Sequence, residues 1–139
     1  MTVTAVDTNI LIDIFSQDAT YWQSSYEALE RASEAGAVIV APVVVAEVAS
    51  SATSTDHAAR SLSFLDELLI DMSRDQLIQA GLLWRDGSRD RARRSLPDYL
   101  IAVHAANNAD RLLTRDKEFE KLKVPGLRVV EPSQVVSST

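Results

Sequence analysis

Short apolar runs alternate with stretches of helical periodicity from one end of this chain to the other, and few folds accept that order of elements. A strand that returns to a parallel neighbour needs a crossover of about a dozen residues, which a helix supplies. The alternation therefore predicts a parallel sheet with helices on both faces and ligands gathered beyond the carboxyl ends of the strands. Thr2 to Val6 alternates branched and small residues and reads as the first strand; "NILIDIF" after it reads as a short helix or turn folding back over that strand. From Tyr21 to Ala35, Trp22, Tyr26, Leu29 and Ala32 or Ser33 recur at helical spacing, and Gly36 supplies a stop. "AVIVA" is then a short buried strand.

Pro42 suits a first helical turn, where its missing N–H is not needed, so "PVVVAEVASSA" predicts a helix, although three consecutive valines also suit a strand. Thr55 or Asp56 can cap a helix through about Leu69, with Leu62, Leu65, Leu68 and Leu69 inward, after which "LIDM" is a candidate strand. Ser73 or Asp75 opens a helix whose inward residues include Leu77, Ala80, Leu83 and Trp84. Pro97 begins "PDYLIAVHAANNA", apolar on most sides and so a buried helix. "RLLTRD" predicts a strand ending in an acid, Pro125 and Gly126 a turn, "LRVV" a last strand, and "EPSQVVSST" from about 132 a loosely ordered polar tail. No repeat or linker divides the 139 residues, which suit one domain with a proper core.

The absence of cysteine excludes disulfides and cysteine-rich zinc sites, and folding is compatible with a reducing cytosol. No apolar run approaches the roughly 20 residues that span a bilayer, and no signal-peptide pattern opens the chain, so a soluble cytoplasmic protein is expected. A formal net charge of -6 argues against a nucleic-acid partner, yet the charge is uneven. "RDGSRDRARR", Arg85 to Arg94, holds five arginines and two aspartates and so carries +3, which leaves -9 on the rest. A solvated loop or helix end accounts for such a cluster as readily as a binding surface does.

Four acids stand in related places. Asp7 ends the first strand and Asp116 ends the "RLLTRD" strand, so a parallel sheet delivers both carboxylates to one edge. Asp98 follows Pro97 in the first turn of the buried helix, where free N–H groups and the helix dipole favour an anion. Glu47 lies among valines and alanines on the helix after the second strand. Singly, each aspartate also reads as a turn or cap residue, whereas Glu47 must reach solvent, find a cation or be protonated. Together, four converging acids repel one another and call for positive charge. An all-oxygen set without cysteine or a nearby His pair suits Mg²⁺ or Mn²⁺. Asn9 and Thr114 lie beside the acids and can orient them by hydrogen bonding.

The blocks "AVDTNILIDIF", "APVVVAEV", "LPDYLIAVHAA" and "LLTRDKEF", in that order and across most of the chain, resemble the signature blocks of PIN-domain ribonucleases. They are most similar to VapC-type toxins of bacterial and archaeal toxin–antitoxin pairs. The resemblance implies a three-layer α/β/α fold with a central parallel sheet of four or five strands, an acidic cluster binding Mg²⁺ or Mn²⁺, and endonucleolytic cleavage of RNA. It also implies a homodimer and a small antitoxin that blocks the site. Carried over residue by residue, the family's acidic positions fall on Asp7, Glu47, Asp98 and Asp116, and its polar positions on Asn9 and Thr114. Tyr99 and His104 depart from a block that is often more aliphatic, which touches the packing of that helix and not the ligands.

One or two ions held by Asp7, Asp98 and Asp116, with Glu47 as ligand or water-orienting base, would make a protein nucleophile unnecessary. Arg85, Arg89, Arg93, Arg94 and Arg115 are the candidates for holding an RNA backbone near an otherwise repelling acidic cleft. Asp13 reads as a solvated helix acid, His104 as facing away from Asp98, and Trp22 and Trp84 as core or interface residues. A phosphatase with Asp7 as nucleophile usually needs a second acid two positions later, where this chain has Asn9. A non-catalytic metal- or protein-binding module is the alternative from another class.

Overall fold

β1 (Thr4–Val6) is buried along its whole length because a strand pairs with it on either side. In a computed structural model that describes residues 1–87 and 94–137, β2 (Val38–Ile39) runs parallel on one side with Val38 opposite Thr4. β3 (Arg111–Leu113) runs parallel on the other, with Arg111 opposite Thr4. β4 (Val129–Val130) completes the order β2-β1-β3-β4 by pairing with Leu112 and Leu113. The first connection, α1 (Thr8–Ser16) and α2 (Trp22–Ala35), steps from β1 outward to β2. The second returns past β1 to β3 through α3 (Pro42–Ser50), α4 (Thr55–Asp66), α5 (Arg74–Gly87) and α6 (Leu96–Asn108). Crossovers in opposite directions, each right-handed, put these helix groups on opposite faces of the sheet. The result is the expected α/β/α arrangement, with four parallel strands. The direction of chain progression reverses between β1 and β3, which opens a crevice beyond their carboxyl ends.

Local chemistry sets the helix starts. Asp7 caps α1, its carboxylate accepting from the Thr8 N–H at 2.7 Å. Pro42 opens α3 as expected, so burial of Val44 and Val48 on a helical face outweighs the strand preference of the valine run. Ser95 and Asp98 form a reciprocal capping box at the start of α6, which buries Tyr99 and Ile101 to Ala105. A 3₁₀ turn, Lys117–Leu122, leads from β3 towards β4 and buries Phe119 and Leu122.

Four expectations change. α2 turns Ser25, Ala28 and Ala32 inward and leaves Tyr26 exposed, because small residues let α1 approach closely. α4 ends at Asp66, and "LIDM" contributes one parallel bridge, Leu69 to Val40, rather than a strand. The chain is drawn there by Val40 N–H donating to the Leu68 carbonyl and Ile70 N–H donating to the Val40 carbonyl, which leaves the Leu69 side chain outward. Leu77 is exposed too, since α5 meets α6 through the fully buried Ala80. Where a polar tail is expected, α7 (Pro132–Ser137) packs on α2 with Val135 buried. No helix among the described residues is long and apolar enough to cross a membrane.

Gly36 ends α2 where the chain passes the backbone of Thr2, whose N–H donates to the Ala35 carbonyl at 3.0 Å. A Cβ on Gly36 would stand 2.2 Å from the Thr2 carbonyl oxygen, a contact that only backbone movement relieves. Gly36→Ala is therefore expected to lower unfolding free energy by about 1–3 kcal/mol, the usual range for overpacking. Urea denaturation monitored by circular dichroism checks this, and an unchanged midpoint would contradict it.

Candidate functional site

The Thr114 hydroxyl, fully buried just past β3, joins the two central strands at the crevice. Its oxygen accepts from Asn9 Nδ2 at 3.2 Å and from the Asp116 N–H at 3.0 Å. A hydroxyl offers one donor and two acceptor sites, so with both acceptor sites filled its proton is committed to a third partner. That partner is Asp7 Oδ2, at 2.7 Å. Asn9 completes the frame by accepting, through Oδ1, from the Arg115 N–H at 3.4 Å. Thr114 thus bonds Asp7 directly, whereas Asn9 bonds Thr114 and not the acid.

Asp7 is buried, and its pKa is pushed up to about 6, chiefly by burial. The hydrogen bonds from Thr114 and Thr8 hold it down, and the charges of Asp98 and Glu47 add to the rise. Glu47 reaches the cluster from α3, where its Oε1 accepts from the Thr8 hydroxyl at 2.6 Å. Asp98 and Asp116 are joined to each other by Arg94. Its Nη2 donates to Asp116 Oδ2 and its Nε stands 3.3 Å from Asp98 Oδ2. Asp98 Oδ2 also accepts from the Ser95 N–H and hydroxyl, and Asp116 Oδ1 from the Glu118 N–H, so both acids serve as caps as well. Burial opposes the Arg94 charge, but the Asp116 hydrogen bond and the Asp98 and Asp116 charges outweigh it and raise the pKa.

The other arginines part company. Arg115 pairs with Asp13 through Nε at 2.7 Å and Nη2 at 2.9 Å, with its guanidinium 3.9 Å from the centre of the Tyr21 ring. Asp13 is therefore buried and paired, not a solvated helix acid, and it also accepts from the Ser25 hydroxyl at 2.7 Å. Arg85 is exposed and pairs with Asp86, while Arg89 and Arg93 lie outside the described residues. His104 is buried, donates from Nε2–H to the Ile70 carbonyl at 2.7 Å, and has its pKa lowered by that burial. Sequence reading missed Thr8 as the partner of Glu47 and Arg94 as the bridge. The four-residue interval from Arg94 to Asp98 is a signal for the second, whereas nothing local marks Thr8.

Oxygen donors of this kind fit a hard divalent ion, and a carboxylate raised chiefly by burial, with two like charges adding to the rise, marks a place short of positive charge. As folded, however, among the described residues no three Asp, Glu, His or Cys side chains are gathered closely enough to hold a metal. Arg94 supplies the positive charge between Asp98 and Asp116.

An acidic crevice at the switch point of a parallel α/β/α sheet defines a class of fold that binds ligands between β1 and β3. Residues 4–125 match the PIN domain, and the chain belongs to that family. Among solved structures it is similar to a chain of VapBC2 from Rickettsia felis bound to a promoter DNA fragment, with 24% identity and a TM-score of 0.72. That likeness covers 93% of this chain and 98% of the other. A toxin–antitoxin complex from Klebsiella pneumoniae gives 28% identity, a TM-score of 0.69 and coverage of 93% and 97%. DNA-bound VapBC from Salmonella typhimurium gives 20%, 0.68, and coverage of 95% and 99%. No curated protein matches.

Because the folded-state pKa of Asp7 lies above its unfolded value, ionising it weakens the fold. The penalty is absent below about pH 4, grows as pH rises through about 6, and reaches on the order of 2–3 kcal/mol above that. Asp7→Asn in EDTA should therefore gain stability relative to wild type between pH 5 and pH 8. Thermal unfolding of both proteins across that range tests it, and a constant difference in Tm would contradict it.

Proposed function

We propose that this protein is a metal-dependent endoribonuclease, the toxin of a toxin–antitoxin pair acting in the cytoplasm. The observation that carries the reading is the Asp7 carboxylate, buried at the switch point of a PIN-domain sheet, oriented by Thr114 and approached by Glu47 and Asp98. Membership of the family supports a nuclease, and likeness to VapBC assemblies supports a toxin with an antitoxin partner. Exposed Leu77, Ile78 and Leu82 on α5 offer apolar surface consistent with a homodimer.

Asp7, Asp98 and Asp116 are the residues that would hold Mg²⁺ or Mn²⁺, one ion or two, directly or through water, with Glu47 as a further ligand or as the group that orients the attacking water. When bound, such an ion supplies a more acidic water and offsets charge on the phosphoryl and leaving oxygens. Thr114 holds Asp7 Oδ2 at a fixed angle, and Asn9 holds Thr114. Thr8 restrains Glu47. Arg94, Lys121 and Lys123 line a cleft of about 460 Å³ beside the acids and provide positive charge for an RNA backbone.

A short single-stranded RNA, labelled at one end and incubated with antitoxin-free protein and Mn²⁺, tests the proposal. Cleavage should cease in EDTA and fall by roughly a hundredfold or more in Asp7→Asn and Asp98→Asn. Thr114→Val, which removes only the orienting hydroxyl, should cost about 10- to 100-fold. The bridge from Arg94 to Asp98 and Asp116 favours a second reading, a binding module without turnover. Equal cleavage by wild type and Asp7→Asn, or none by wild type on a broad RNA set, would support it.

A further inference from the structure

We propose that Arg94 is an internal counter-ion that takes the divalent ion's place between Asp98 and Asp116, so that metal and guanidinium compete for the same carboxylate oxygens. The inference rests on the metal-dependent reading above and concerns what the site does before an ion arrives. Both contacts of Arg94 fall on the Oδ2 atoms of the two acids, from separate elements, α6 and the start of the 3₁₀ turn. About three-quarters of the Arg94 side chain is withdrawn from solvent, at 23% exposed, and the Phe119 ring lies 5.5 Å from the guanidinium carbon. An ordinary surface ion pair has neither that shielding nor two carboxylates on one cation.

The grip is also uneven. Nη2 makes a hydrogen bond to Asp116, whereas the buried Nε is near Asp98 without an aligned acceptor. A buried donor left in that state lowers the cost of letting go. The cleft lined by Lys121, Lys123, Tyr99 and Asp86 already includes Arg94 and gives the released side chain a place beside other cationic groups. Two cations cannot share the same carboxylate oxygens without strong repulsion. Metal affinity is then reduced by the fraction of molecules in which Arg94 is engaged, and by reciprocity a bound ion weakens the arginine's hold by the same factor. Arg94 is a positioning residue with two successive partners: the acids in metal-free protein, and the phosphate of a substrate once an ion holds the acids.

The test is Mn²⁺ binding to EDTA-stripped protein, read from the electron paramagnetic resonance of free Mn²⁺, for wild type, Arg94→Gln, Arg94→Ala and Asp98→Asn. The two Arg94 variants should bind Mn²⁺ about 3- to 30-fold more tightly than wild type, and Asp98→Asn more weakly. In wild type, titration with Mg²⁺ should move the Arg94 Nε–Hε resonance, assigned by through-bond correlation to its own backbone, towards the position of exposed arginines. That measurement needs no variant to remain folded. Wild-type Mn²⁺ binding with no gain in a folded Arg94→Gln, or an Arg94 resonance that stays put at saturating Mg²⁺, would overturn the inference alone. Absence of Mn²⁺ binding in wild type and both Arg94 variants would overturn the metal-dependent reading, and this one with it.

Discussion

One hydrogen bond, from the Thr114 hydroxyl to Asp7, ties the two central strands together at the place where the chain reverses direction. Its direction is not free, since Asn9 and the Asp116 N–H occupy the other two positions on that oxygen. A buried carboxylate in an apolar sheet costs free energy unless donors meet it. Asp7 is met by two, the Thr114 hydroxyl and the Thr8 N–H, and the second starts α1. The site's geometry and the fold's first helix therefore depend on one side chain, which is how a cap residue and a candidate ligand come to be the same residue.

Excess negative charge is the second constraint. Burial, with help from two neighbouring acids, pushes Asp7 up to about 6, while Asp98 and Asp116 share a guanidinium. A chain with net charge -6 has spent a cation here and another on Asp13, where Arg115 is wedged over Tyr21. Removing one partner from such a pair leaves an uncompensated charge, so losing either arginine alone weakens the fold.

The alternation of apolar runs and helical periods made the parallel sheet legible, because crossover connections admit few other arrangements. Boundaries were less legible. Tyr26 and Leu77 fit a helical stripe yet face solvent, because α2 and α5 are packed through Ala28, Ala32 and Ala80. Ala32 and Ala80 lie on the stripes read from the sequence, but a reading that weighs hydrophobicity does not rank them above the larger Tyr26 and Leu77. α7 was hidden for a different reason: only Pro132 and Val135 are buried in a polar segment that packs on α2.

The sequence by itself determined which acids follow the two central strands and which lies in the first turn of α6, since a parallel sheet sends the carboxyl ends of its strands to one edge. It also determined that cysteine chemistry plays no part. Only tertiary structure decided how those acids are partnered. Thr8 meets Glu47 across 39 positions and Arg115 meets Asp13 across 102, separations at which residue spacing carries no information about contact. Hydrogen bonds and ion pairs act over a few ångströms of space, and the fold alone converts distance along the chain into that proximity.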